Sequence, residues 1–403
     1  MPFLRSVAAV AAFSIVHVQA QTIWTVDDDG GPGVQFTAIQ PAIDAASSGD
    51  VIVVAAGTYA GIDITAKALT LVGAGQGLTV VGSPTAGSHV RDVPAGSVAT
   101  LAAMTVYKAY FGRPAPAVDA VTVATAADVT FLYGATVRAV RVRFDRCAFF
   151  GAPGSGGGQF SAPSPGGPAL GSLAGDVLLS NAHLVGATGA PGIIHGSFGG
   201  VGKLEAVDCF IVGGGAASNG FGTLPAREAL WAVSPARIYG PQSTLLGGDW
   251  SGAATAGAIF AFAPVVVHHA ALGGLVSPSV TFDPVWLPTL QATSPWKIAD
   301  DLVLTVKLGA PGAGGAPYAV AFSFGSQPTA LTSPFVGSLW LADPFAIAVA
   351  AGLGADGSAA FVIPGGTAPT SLFYLPLHFQ ACALDPTTGA WGVGQSTTVM
   401  LVP

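Results

Sequence analysis

The chain has 403 residues, 9% of them charged, with a formal net charge of −7, 56 glycines and 30 prolines. That length exceeds what one hydrophobic core usually serves, so two domains are expected. The absence of a basic tract argues against nucleic acid as a partner, and beyond the N-terminus every apolar run breaks before the ~18 residues a membrane helix needs.

In chain order, residues 1–20 have the parts of a secretory signal: Arg5, an apolar segment over 7–16, and Val18-Gln19-Ala20 before the cut. Secretion to the extracellular space or cell surface is therefore expected, with no membrane span left after cleavage. A short strand over 24–26 leads into the turn Asp27-Asp28-Asp29-Gly30, which lacks the alternate ligand spacing of a calcium loop. Thr37-Ala38-Ile39-Gln40 then has capping-box spacing, with Phe36 placed as a hydrophobic staple. Ile39, Ala42, Ile43 and Ala46 form one apolar stripe, and Pro41 limits the helix to two or three turns. Such a helix would cover the open edge of a strand stack.

The run from residue 36 to 75, with Gly49-Asp50, Gly57-Thr58-Tyr59 and Leu69-Thr70-Leu71-Val72-Gly73, resembles the opening of right-handed parallel β-helix proteins of the pectin-lyase-like superfamily. The resemblance implies a capping helix followed by stacked rungs. It implies little about activity, because the superfamily holds lyases, hydrolases, esterases and adhesins.

A repeat supports the same architecture. Between residues 140 and 274 a strand, a break, two apolar residues and a glycine recur, the glycines being Gly151, Gly186, Gly213, Gly247 and Gly273. An imperfect repeat of roughly 25–35 residues marks a solenoid whose units bury their apolar faces only by stacking. Aligned on these glycines, Val142, Val177, Leu204 and Ile238 should point inward. Arg141, Asp176, Lys203 and Arg237 should point outward, the first three forming an alternating-charge ladder on an exposed face. Cys147 and Cys209 share a column with Ala182 between them, which places their Cα atoms nearly ~10 Å apart at a rung spacing of about 4.8 Å, too far for a disulfide. Buried free thiols are expected.

Long Gly-rich loops over 151–175, 186–202 and 213–233 leave from one turn and should emerge on one flank. They carry Phe160, His195, Phe198, Phe221 and Trp231, with Trp250 after the next rung, and these could stack on a sugar polymer. The alternative is that the rings fold back as satellite core. A lyase of the resembled superfamily would need carboxylate-bound Ca²⁺ and a basic residue; Arg143, Asp145, Arg146 and Asp208 are the candidates, although Asp145 and Asp208 stand two rungs apart. No hydrolase, zinc or phosphate-loop constellation is complete, and His268-His269 point to opposite strand faces.

After about residue 283 the rungs give way to proline-spaced strands of an antiparallel β-sandwich, with Ala355-Asp356-Gly357-Ser358 as a hairpin turn, placed to close the solenoid end. The reading is all-β: a signal peptide over 1–20, a right-handed parallel β-helix with a short N-terminal capping helix over 21–283, and a β-sandwich over 284–403. The expected function is non-catalytic binding of a polysaccharide or cell-envelope polymer along the loop-bearing flank. A polysaccharide lyase or glycoside hydrolase in the same groove is the alternative, and a ligand-free structural module the third.

Overall fold

The computed structural model describes residues 21–112, 123–155, 161–196, 202–219, 222–240, 242–248, 256–294, 296–324, 329–341, 346–367 and 372–403. Between Ile23 and Phe282 the chain winds a 24-stranded sheet, each strand pairing in parallel with its equivalent in the coils before and after. Arg141–Asp145, for example, lies between Val123–Arg138 and Asp176–Ser180. The fold is a parallel β-helix, and one coil is exemplified by Arg141–Asp145, Ala148–Phe150 and Leu170–Leu173.

The first sheet sends Ile52, Leu71, Leu101, Phe144, Leu179 and Ile238 inward, all 2% exposed or less. Phe111, Phe131, Phe144 and Phe149 fill the mid-section with ring centroids 4.8–6.1 Å apart, and burying each such side chain contributes about 2–3 kcal/mol. Two coils run their strands through the corners, as Ala99–Phe111 and Val123–Arg138. Ala103, Lys108, Asp128 and Tyr133 turn those corners with φ of 52°, 46°, 55° and 63°. The repeat is blurred there because no break separates the strands.

The N-terminal end is closed as expected by a helix, Ile39–Ala45, that buries Ile39, Ala42 and Ile43. The expected capping box does not form: Ala38 stands at the N-cap, and Gln40 instead pairs with Asp63, accepting its backbone N–H at 2.8 Å. Pro41 is harmless because the third helical N–H has no partner within a helix anyway. At the other end the Lys67 ammonium donates to the carbonyls of Ile43, Asp44 and Ala46 at 2.7–2.9 Å. Asp50 ties this corner together by accepting from Thr22 N, Ser47 N and Trp24 Nε1.

The charge ladder stacks as expected over its first members: Arg141 Nε lies 3.6 Å from Asp176, whose Oδ1 accepts the Lys203 N–H. Arg237, however, stands opposite Glu205, and Ile238 opposite Ala206. The turn between Tyr239 and Thr244 is two residues longer than that between Val207 and Phe210, so alignment on the glycine misplaces this coil by two. Cys147, Ala182 and Cys209 form one buried column, and all three cysteines are free. Burial pushes the Cys209 thiol up to about 12 and Cys147 higher still. Titration with a thiol reagent should therefore leave Cys147 and Cys209 unmodified in the native protein and count three thiols after unfolding; a mapped bridge between them would contradict the register.

From Thr289 the chain forms a three-stranded antiparallel sheet and a larger seven-stranded one. They enclose Leu290, Leu304, Val306, Val320, Phe379 and Val399 as a second core. Asp356-Gly357 is a turn as expected, but its flanking strands belong to different sheets: Ala346–Gly352 pairs with Pro317–Ser323, and Ser358–Ile363 with Leu302–Lys307. It is a corner of the sandwich, not a hairpin.

The larger position change concerns where this unit sits. It lies lengthwise on the flank of the β-helix and does not close its end. Met400 packs on Val51, Val72 and Ala102 of the early coils, and Trp340 with Leu287 and Val285 on Leu178, Val207 and Tyr239 of the later ones. The chain leaves the last coil sideways, with Trp286 stacked on His269 at 3.5 Å.

Candidate functional site

Arg143 and Asp145 project outward from the first sheet as the alternation requires, but that face is roofed by the strands Pro376–Leu384 and Trp391–Val402, leaving them 1% and 0% exposed. Asp145 Oδ2 accepts the Thr398 N–H at 2.7 Å, the Thr397 hydroxyl at 2.9 Å and an Arg146 N–H. The Arg146 guanidinium also donates to Asp128, Ser294 and the Thr398 carbonyl at 2.9 Å. These carboxylates raise the already high Arg146 pKa against the opposing effect of burial. Arg143 is lowered to about 10, chiefly by burial, and none of its guanidinium nitrogens has a hydrogen-bond partner. Further along, Glu205 accepts from the Ser338 hydroxyl and from Trp340 Nε1 at 2.6 Å.

Asp208 does not join this group. Asp145 stands opposite Ser180, whose own partner is Val207, so Asp208 falls one residue past that column, in the turn. There its φ of 48° matches 51° at Arg146 and 50° at Asn181, a left-handed position that Asn and Asp tolerate best. Burial raises its carboxyl to about 6. The face that carries the lyase candidates Arg143, Asp145 and Arg146 is thus a buried clamp between the two units, closed to a polymer. Asp145, Arg146 and Glu205 find partners there, and Arg143, which has no hydrogen bond, is set against the Asp145 charge, since a buried charge left uncompensated costs several kcal/mol.

The loops do leave from one turn, after Phe150, Val185 and Val212, and they stack on one another. A Cβ at Gly214 would stand 1.7 Å from the Ala187 carbonyl oxygen, and one at Gly213 would stand 1.9 Å from that of Arg227. Gly214→Ala should therefore part the loops and cost about 2–4 kcal/mol, read as a lowered unfolding midpoint, whereas Gly215→Ala, with open space around it, should change it little.

Of the rings expected on this flank, Phe160, Phe198, Phe221 and Trp250 lie outside the described residues. His195 departs from its expected role: it is fully buried, Nε2 lies 3.2 Å from the Pro235 carbonyl, and burial lowers it to about 4. Alternation from buried Ile193 gives Ile194 the outward place and turns His195 inward. Trp231 is half-buried, with the Arg227 guanidinium 4.7 Å over its ring and the edge of Phe260 at 5.5 Å.

Sequence reasoning missed the neighbouring face. On the second sheet, beside the loop exits, Tyr107, Tyr133, Phe150, His183 and Phe210 form an outward strip through successive coils. Tyr107–Tyr133, Phe150–His183 and His183–Phe210 have ring centroids 5.6, 6.1 and 5.1 Å apart. Half-buried Thr130 and Thr244 lie in the same column as His183 and Phe210. The signal was present: each ring alternates with an inward residue, Phe149, Leu184 or Ile211. Among the described residues the one group of three carboxylates close enough to share an ion is Asp27, Asp28 and Asp29. Asp27 Oδ1 accepts the Asp29 N–H and Asp28 Oδ2 the Thr58 N–H, which is turn chemistry. No helix among the described residues is long and apolar enough to cross a membrane. No family model, curated protein or solved structure matches the chain.

Proposed function

We propose that this is an exported, non-catalytic β-helix protein that binds an extended polysaccharide along the flank beside its loops. The observation that carries the reading is the outward strip of Phe150, His183 and Phe210, with Tyr107 and Tyr133 above it, on consecutive coils, Phe150 and His183 exposed and the other three half-buried. Rungs about 4.8 Å apart repeat on the scale of successive sugars in an extended glycan, so rings and threonine hydroxyls recur in step with the ligand. Apolar ring faces stack on the C–H faces of sugars, while hydroxyls match hydroxyls. The resemblance to the pectin-lyase-like superfamily and the signal-like residues 1–20 support an extracellular setting. Of the charged residues a lyase would use, Arg143, Asp145 and Arg146 are covered by the second unit and Asp208 lies apart from them in a turn, which favours binding over cleavage.

The test is retention on immobilised polysaccharides of varied charge and linkage, scored together with release of reducing or unsaturated ends. Binding without release is expected. Phe150→Ala with Phe210→Ala should weaken it at least ~30-fold, since one lost aromatic anchor costs about 2 kcal/mol. Arg146-dependent release of unsaturated ends would overturn the reading in favour of a lyase.

A further inference from the structure

The two ends of the β-helix differ. The N-terminal end is sealed by Ile39–Ala45, whereas at the C-terminal end the chain departs sideways through Trp286 and, among the described residues, no helix or strand caps the last coil. On that last coil Leu275 is 84% exposed, Phe282 65%, Phe262 58%, Phe260 43% and Val276 37%. Taking roughly 200 Å² for a whole phenylalanine, these side chains present on the order of 500 Å² of apolar surface. The largest patch on an ordinary monomer is about 300–600 Å² and is often functional.

The backbone is open there as well. Among the described residues Ala271–Gly273 pairs with Thr244–Leu246 on one side and with no strand on the other, and Val280–Phe282 pairs only with Val265–His268. Proteins usually blunt such an edge with charge, a bulge or a cover. Here no Asp, Glu, Lys or Arg occurs from residue 256 to 282, in a chain of net charge −7.

From these observations we infer that the last coil is a homodimer interface, in which two copies join their C-terminal ends about a two-fold axis. A second copy fits for three reasons. The face is free of charge from residue 256 to 282, and the carboxylate at its border, Asp283, lies 3.6 Å from His268, so two such faces can meet with little of the repulsion that two −7 chains would otherwise feel. The exposed side chains, added to the strand edges, approach the roughly 800 Å² per partner of a standard interface. The helix cap forbids end-to-head growth, so the contact closes at two copies and does not run on into a fibre. The two-fold axis turns one edge antiparallel to the other, which lets Val280–Phe282 or Ala271–Gly273 extend the sheet across the junction.

Sedimentation velocity of the full exported chain should give twice the chain mass at micromolar concentration. Leu275→Lys with Phe282→Lys should give a monomer whose thermal midpoint, extrapolated to low concentration, matches the wild type, because both side chains are mostly exposed. A Leu275→Cys variant should cross-link to a covalent dimer under oxidation. A monomeric wild type, a dimer that survives both lysines, or association that continues past two copies would each overturn the inference. Occupation of this end by glycan would be seen as binding lost in the lysine variant while wild-type mass stays that of a monomer, and would also overturn it.

Discussion

Asp145→Ala should destabilise the protein by about 3–5 kcal/mol, the usual cost of leaving a buried ionic partner uncompensated. The carboxylate is 0% exposed and receives Thr398 N, the Thr397 hydroxyl and Arg146. Its removal takes one of the two carboxylates from Arg146, leaves the buried Arg143 charge without the anion that faces it and strands the Thr398 N–H at the junction of the two units. Denaturant unfolding should show a lower midpoint, and Asp145→Asn, which keeps an acceptor, a smaller loss. Asp176→Ala, in the partly exposed ladder with Arg141, should fall within about 0.5 kcal/mol of wild type. Equal effects at the two aspartates would mean that the clamp does not bear on stability.

Acid should weaken the fold well before the ordinary carboxylates titrate. His195 and His268 are held neutral by burial, each lowered to about 4, and His378 is lowered well below its usual range by burial and by the nearby Arg143. Unfolded, such residues take up protons near pH 6.5. Below that pH the unfolded state binds more protons, so stability present at neutral pH is lost as pH falls from about 6.5 towards 4. Lowering to about 4 at His195 and at His268 corresponds to roughly 3 kcal/mol each. Asp208, raised to about 6, acts in the opposite sense: the native state holds its proton, so it adds stability as pH falls from 6 towards 3.8. The net expectation is a loss on the order of 5 kcal/mol between pH 7 and 4, measured by unfolding at fixed ionic strength. A flat profile over this range would show that the histidines are hydrated in solution.

The β-helix was legible because stacking repeats its demands: Cys147, Ala182 and Cys209 could be aligned by counting back from glycines, and the register holds. It failed at Ile238, where two extra residues in a turn shift the glycine without moving the strand. The lateral docking was not legible at all. Outward-facing charges such as Arg143 and Asp145 are usually solvated, and the partners of Asp145, Thr397 and Thr398, lie some 250 residues away. The strip of Phe150, His183 and Phe210 was overlooked for a different reason. Rings in Gly-rich loops stand out in a sequence, whereas these rings sit at the outward places of strands whose inward neighbours are equally apolar.

Solenoids ordinarily fray from their ends, since each repeat touches only its neighbours and stability is a sum along one dimension. The twelve residues Trp391–Val402 change that arithmetic. Lying along the coils from Val51 to Ser180, they bind distant rungs to one strand, so that no single coil can peel away without breaking the strap's contacts to the others. Unfolding becomes concerted where a bare stack would melt in steps. Synthesis order then acquires meaning: the strap follows every coil it holds, and the early coils wait with an uncovered flank until it arrives.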